Sequence, residues 1–153
     1  MSIEARLAEL GLTLPEPAKP VASYVPTVRT GNLVFCSGQL PFLKGQLLAI
    51  GPVPTAVDVA TAQAAARQCV LNGLAALRAE LGGDLSKLVR VVRIGVFVQS
   101  VDGFKEQPQV GNGASDLLVE ILGDRGKHAR TSVSVNALPL NASVEVEFLF
   151  EVA

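Results

Sequence analysis

The sequence predicts an α+β fold, a mixed sheet with two helices packed on one face. Three observations carry that prediction. Residues 59–81 repeat apolar side chains at spacings of three and four, the period of a buried helix face. Residues 129–136 and 144–152 alternate apolar and polar side chains, the period of a strand. Helix-like and strand-like segments then follow one another as β-β-(β)-α-β-α-β-β behind a short leading helix, which is the pattern of one layer of helices on one sheet.

Each element has its own signal. Ser2 caps a short helix carrying Ile3, Leu7 and Leu10 at helical spacing, with Gly11 as its stop. Pro15, Pro17 and Pro20 follow, and each disfavours helix in the residue before it, so residues 1–21 read as a helix plus an extended arm. Residues 21–29 form a first strand, which Pro26 confines to an edge or a bulge. The turn at Thr30-Gly31-Asn32 joins it in a hairpin to a second strand over residues 33–37. Pro41, Gly45, Gly51, Pro52 and Pro54 leave room only for a short edge strand around residues 46–50.

Asp58 is the expected cap of the long helix, which closes at Gly82-Gly83. Its stripe is Ala62, Ala66, Val70, Leu74, Leu77 and Leu81, with Arg67, Gln68, Asn72, Arg78 and Glu80 off it. Residues 88–99 read as a valine-rich strand whose centre is apolar on both faces, as in a buried strand. A second helix spans about residues 108–122. Gly111 and Gly113 weaken its first turn and move its expected start toward Gly113. The chain closes with the two alternating strands, joined through Leu138-Pro139-Leu140-Asn141.

A chain of 153 residues is the size of a single domain, 1–153. Its 13 basic and 14 acidic residues sum to −1, a balance that argues against nucleic acid and anionic membranes as partners. Only 18% of residues are charged and 49% are hydrophobic, with a mean hydropathy of +0.40. No uncharged run reaches the roughly 18–20 residues that span a bilayer. These values predict an oligomer that hides apolar surface. The opening residues lack the pattern of a signal peptide, and two cysteines without CxxC spacing predict reduced thiols in the cytoplasm. One histidine, His128, leaves no two-histidine metal site.

The residues that can carry chemistry are few. Arg130, Ser132 and Ser134 share one strand face, so a guanidinium and hydroxyls line one surface suited to a carboxylate. The same pattern also describes an exposed polar strand face. His128 falls on that face at the strand mouth, where a surface histidine after a Gly-Lys turn is the plainer reading. Glu145 and Glu147 occupy the polar face of the last strand. If the last two strands pair, one of these carboxylates approaches Arg130, either as part of a site or as a cross-strand ion pair. Ser115 in Asn112-Gly113-Ala114-Ser115-Asp116 reads as a helix-start residue, either an anion site or an ordinary cap. Cys36 and Cys69 read as buried, inert thiols.

Taken together and in register, Tyr24, Ser37-Gly38-Gln39-Leu40-Pro41, Ala129-Arg130-Thr131-Ser132-Val133, Leu138-Pro139 and Val144-Glu145-Val146-Glu147 resemble the YjgF/RidA family. The leading helix, the longer segment between Pro41 and Asp58, Gln107-Pro108 and the residues from Asn112 to Leu118 resemble its longer subgroup, whose members carry the label endoribonuclease L-PSP-like. The resemblance implies a chorismate-mutase-like fold and a homotrimer with clefts between subunits. It implies hydrolysis of reactive enamines and imines of the 2-aminoacrylate type to a 2-keto acid and ammonia, without metal or organic cofactor. The expected ligand is a small carboxylate-bearing imine or keto acid. In that scheme Arg130 grips the carboxylate and Glu145 places the attacking water. Tyr24, Ser37, Gly38, Asn112 and Ser132 line the cleft. Ser132 stands where the family often has cysteine, Ala22-Ser23 replaces a usual Gly-Pro, and Pro26 follows Tyr24 closely. Two other classes remain beside the deaminase: a carboxylate-binding protein without catalysis, and, less supported by the charge balance, an endoribonuclease.

Overall fold

The computed structural model describes residues 1–19 and 23–153. In chain order the elements are α1 (Ile3–Glu9), β1 (Thr27–Thr30), β2 (Leu33–Gln39), β3 (Phe42–Leu43), β4 (Gln46–Leu47), α2 (Val59–Glu80), β5 (Leu88–Gln99), α3 (Gln107–Leu122), β6 (Ala129–Val135) and β7 (Val144–Val152). The expected α+β order is present. Ser2 caps α1 by accepting from the Ala5 N–H at 3.0 Å, and Asp58 caps α2 by accepting from the Thr61 N–H at 2.8 Å. The first strand is shorter than expected: it begins at Thr27, just after Pro26, and Val21 and Ala22 lie outside the described residues.

Five strands form one sheet in the order β1-β2-β7-β5-β6. β5 runs parallel to β6, with α3 as the crossover that a parallel pair requires. The last two strands therefore do not pair. β5 lies between them, antiparallel to β7, and the expected cross-strand approach of a β7 carboxylate to Arg130 does not occur. The third strand also differs. Instead of joining the sheet edge, β3 and β4 make a separate two-stranded ribbon.

α2 lies against β2 and β7, α3 lies against β5 and β6, and the two helices pack on each other. Between helices and sheet sit Val34, Leu74, Leu77, Ile94, Val96, Leu117, Leu118, Val146 and Phe150, all fully buried. Gln68 and Asn72, expected off the apolar stripe, face inward. Gln68 donates to Asn72 Oδ1 at 3.0 Å, and Asn72 Nδ2 donates to the carbonyls of Leu40 and Phe42 at 2.9 and 3.0 Å. Two amides thus tie the β3 segment to α2, because its carbonyls have no ladder partner inside the main sheet.

α3 starts at Gln107, well before the glycines that were expected to delay it. Gly111 is in the helix because the sheet is too close for a side chain. A Cβ there would fall 2.6 Å from Ser132 Oγ and 3.1 Å from Arg130 Nη1. On the opposite face of the sheet Val28, Phe35 and Val133 are exposed, beside half-buried Leu149. Among the described residues no helix is long and apolar enough to cross a membrane.

Leu74 is fully buried at the centre of α2. Leu74→Ala is expected to cost about 2–5 kcal/mol, the range for truncating a core leucine. Chemical denaturation with an unchanged slope and a lower midpoint is the expected readout.

Candidate functional site

The seven residues expected at the site fall into two clusters. The first lies under α3. Ile94 pairs with Arg130 across the β5–β6 ladder and is fully buried, so the Arg130 side chain points to the helix face of the sheet. Arg130 Nη1 donates to Asn112 Oδ1 at 2.9 Å and to Ser115 Oγ at 3.1 Å. Ser132, two residues along the same face, has a buried hydroxyl with no hydrogen-bond partner among the described residues. Arg130 is therefore not on an exposed polar face. It is half-buried beneath a helix, and its partners are neutral.

Ser115 and His128 complete this cluster, although the sequence reading left both outside the site. Ser115 is in the middle of α3, not at its start, so backbone N–H groups are not available there for an anion. His128 Nδ1 lies 2.6 Å from the Gly126 carbonyl and Nε2 lies 2.9 Å from Ser115 Oγ. A carbonyl only accepts, so Nδ1 carries the proton and Nε2 of the neutral ring accepts from the Ser115 hydroxyl. Burial, with the Arg130 charge adding to it, holds the His128 pKa below its usual value against the opposing Gly126 bond. The neutral ring therefore fixes the Ser115 hydroxyl so that its lone pair faces Arg130. The signal for this was in the sequence as His128, Arg130 and Ser132 at spacings of two, and as Asn112 and Ser115 one helical turn apart.

The second cluster is built on β2 and β7. Glu145 shares a rung with Phe97 on β5, and that rung continues to Val133 on β6. Its neighbour on the same face, Glu147, pairs with Arg93 at 3.4 Å. Gly38 sits at a bulge where β2 shifts register against β7 between Cys36 and Gln39. A Cβ at Gly38 would collide with the Glu145 carboxylate, so glycine is what admits that side chain. Ser37 Oγ donates to the Val25 carbonyl at 2.8 Å, which ties β2 to the segment bearing Tyr24. Tyr24, Ser37 and Gly38 line a cavity of about 590 Å³. Burial, with repulsion from Glu147 second, raises the Glu145 pKa above its usual value.

Arg130 and Glu145 are on opposite faces of the sheet. Ile94, Val96 and Val146 are buried under the helices with Arg130, whereas Arg93, Gly95 and Glu147 share the other face with Glu145. Two strand spacings separate β7 from β6, about 10 Å before the change of face is counted. One chain therefore does not bring the two groups together. β6 is an edge strand, which leaves Arg130 near the rim of the sheet.

Residues 4–152 match the family model described as "YjgF/chorismate_mutase-like, putative endoribonuclease". The chain belongs to this family. The protein Atu1372 of Agrobacterium tumefaciens has the same fold at a TM-score of 0.93, with 49% identity over 99% of this chain and 92% of that one. Protein TCP17 of Trypanosoma cruzi is 42% identical over 97% of this chain and 93% of its own length. A 2-iminobutanoate/2-iminopropanoate deaminase of Dermatophagoides farinae is 26% identical over 89% of this chain and 91% of its own. The YjgF-like match thus covers the leading helix and both clusters.

The cysteines are not part of either cluster. Both are buried and free, and burial pushes the Cys36 thiol up to about 12 and the Cys69 thiol up further. Thiols held protonated in this way are poor nucleophiles.

Proposed function

We propose that this single-domain protein hydrolyses small 2-imino acids and their enamine tautomers to 2-keto acids and ammonia, in clefts completed between the subunits of a homotrimer. The observation that carries this reading is the state of the Arg130 guanidinium. Only Nη1 is engaged, by Asn112 and Ser115. Nε and Nη2, the edge that grips a carboxylate through two parallel bonds, make no hydrogen bond among the described residues. Glu147 lies on the other face, paired with Arg93, and among the described residues no carboxylate forms an ion pair with Arg130.

The chemistry needs a carboxylate clamp and a proton carrier near the imine carbon. Arg130, with Ser132 and Asn112 beside it, holds the carboxylate. Glu145 takes a proton from water as the water oxygen bonds to the imine carbon and the C=N electron pair moves to nitrogen, and it returns that proton to the nitrogen. The carbinolamine then collapses: Glu145 carries the carbinol proton to the nitrogen, the C–N bond breaks, ammonia leaves and the ketone forms. A carboxylate with a raised pKa is a better base than an exposed one, which suits it to this transfer. Tyr24, Ser37 and Gly38 border a cavity beside it, and the missing Cβ of Gly38 leaves room for the Glu145 carboxylate. The reaction consumes only water.

Separation of the two clusters onto opposite faces supports the trimer. A site using both needs the Arg130 edge of one chain against the Glu145 face of another, and exposed Val28, Phe35 and Val133 give that face an apolar surface to bury. Light scattering is expected to give three times the 16.0 kDa of the chain, and a 16.0 kDa species would overturn this arrangement. The similarity to the Dermatophagoides deaminase supports the reaction class. The test is imine decay: a pyridoxal-dependent threonine dehydratase generates the imine, and keto-acid release is followed with and without this protein. Faster release supports the deaminase. Unchanged release with keto-acid binding leaves a carboxylate-binding protein.

A further inference from the structure

The cavity beside Ser37 and Gly38 is far larger than a three-carbon acid requires. Its floor is Ser37 and Gly38, and Gly38 abuts the Glu145 carboxylate, which does not itself line the cavity; its walls come from elements outside that cluster. One wall is the arm after α1, with Leu14, Pro15 and Pro17, and the other is the β3–β4 ribbon, with Phe42 and Leu43. Both walls are anchored. Ile3, Leu7 and Leu14 are buried in the core, which fixes the start of the arm. Asn72 holds the Leu40 and Phe42 carbonyls, which fixes the ribbon. Phe42 and Leu43 are nevertheless 37% and 39% exposed, so apolar surface is left uncovered on a fixed support. Sites of roughly 300–1,000 Å³ enclose ligands much larger than pyruvate, and this cavity is about 590 Å³.

We infer that this cavity is a side-chain pocket, so that the ligand is a 2-imino or 2-keto acid with a long or branched apolar side chain; this rests on the reading of the floor as part of the acid-binding cleft. The reacting end lies at Ser37 and Gly38, and the side chain runs between Pro15 and Pro17 on one wall and Phe42 and Leu43 on the other. The arm and the ribbon are thus specificity elements, and the chemistry stays with residues of the sheet. The class of reaction that supplies such a ligand is two-electron oxidation of a large apolar amino acid at its Cα–N bond, with a flavin or nicotinamide of the supplying enzyme as the electron acceptor.

The test uses the full chain and stable keto acids of increasing length: pyruvate, 2-oxobutanoate, 2-oxopentanoate, 2-oxohexanoate and 4-methyl-2-oxopentanoate, titrated by calorimetry. Affinity is expected to rise about fourfold for each buried methylene. In Phe42→Ala and Leu43→Ala, both partly exposed positions, the series flattens while pyruvate binding is kept. A flat series in the unaltered protein overturns the pocket, as does a rising series that both substitutions leave unchanged. Imine decay is measured in parallel. A rising series without faster imine hydrolysis keeps the pocket and removes the deaminase. A flat series with faster hydrolysis does the reverse, and no binding of any acid removes the pocket.

Discussion

Glu145→Gln is expected to lower imine turnover by about 100- to 10,000-fold, the usual contribution of a positioned acid–base group, and to raise the melting temperature at pH 7. The two effects have one cause. Glu145 is half-buried beside Glu147, and its pKa lies above the ordinary value of 4.5. A group whose folded pKa is raised contributes stability that is complete below its unfolded pKa and is lost as pH rises through the folded value. At pH 7 the ionised carboxylate therefore costs stability, and the amide, of the same shape, does not carry that cost. As pH falls through 4.5 the carboxyl becomes protonated in both states and the melting temperatures of the two proteins are expected to converge. Thermal melts from pH 4 to pH 8 read the difference. A variant that is destabilised at pH 7 would mean that Glu145 is a structural anion held by partners, and full activity would remove it from the mechanism.

Local signals carried most of the secondary structure. The helix over Val59–Glu80 was legible because its cap, its apolar period and its glycine stop all agree, and the strands Leu88–Gln99 and Val144–Val152 were legible by valine content and alternation. What local pattern did not carry was the order of strands in space. Period-two alternation says which residues share a face of one strand but not which strand lies next to it. That is why the sequence offers an approach of Glu145 to Arg130 only on condition that the last two strands pair, and β5 in fact lies between them. It is also why the sequence leaves the face of Arg130, Ser132 and Ser134 open between a carboxylate site and an exposed polar strand: only the fold shows that the set meets the polar side of α3. Asn112 and Ser115 supply partners there, and Gln107 donates to Ser134 Oγ at 2.7 Å.

The glycines of α3 were misread for a related reason. In isolation Gly111 and Gly113 weaken a helix. In the fold they are what lets α3 approach the sheet and α2, since a Cβ at Gly113 would collide with the Gln63 carbonyl. Long-range contact overrode local propensity, and it did so where Arg130 is held. The inward turn of Gln68 and Asn72 has the same origin, because the β3 segment needs donors for carbonyls that the main sheet does not take up.

Arg130→Lys is expected to reduce turnover or keto-acid affinity at least tenfold, about 1.4 kcal/mol, while the protein folds and assembles normally. The guanidinium performs two tasks that a lysine cannot combine. Nη1 is spent on Asn112 and Ser115, which lock the plane of the group, and the Nε–Nη2 edge remains for the carboxylate. An ammonium can satisfy Asn112 or pair with a ligand, but as a point charge it does not fix the direction of the carboxylate. Losing that direction moves the imine carbon relative to the water held by Glu145, and orientation of this kind is worth several kcal/mol of barrier. The competing view is that Arg130 serves only to anchor α3 to β6. It predicts the opposite pattern: a lower melting temperature with activity per folded protein retained. Inhibition by the keto-acid product separates the two without relying on rate. Under the clamp reading the inhibition constant rises at least tenfold in Arg130→Lys, whereas inhibition by a ketone of the same length without the carboxylate is unchanged. Asn112→Ala provides the second arm. It leaves the charge in place and removes its orientation, so a small loss of affinity with a larger loss of turnover is expected, and an equal loss of both would show that Asn112 contributes binding alone.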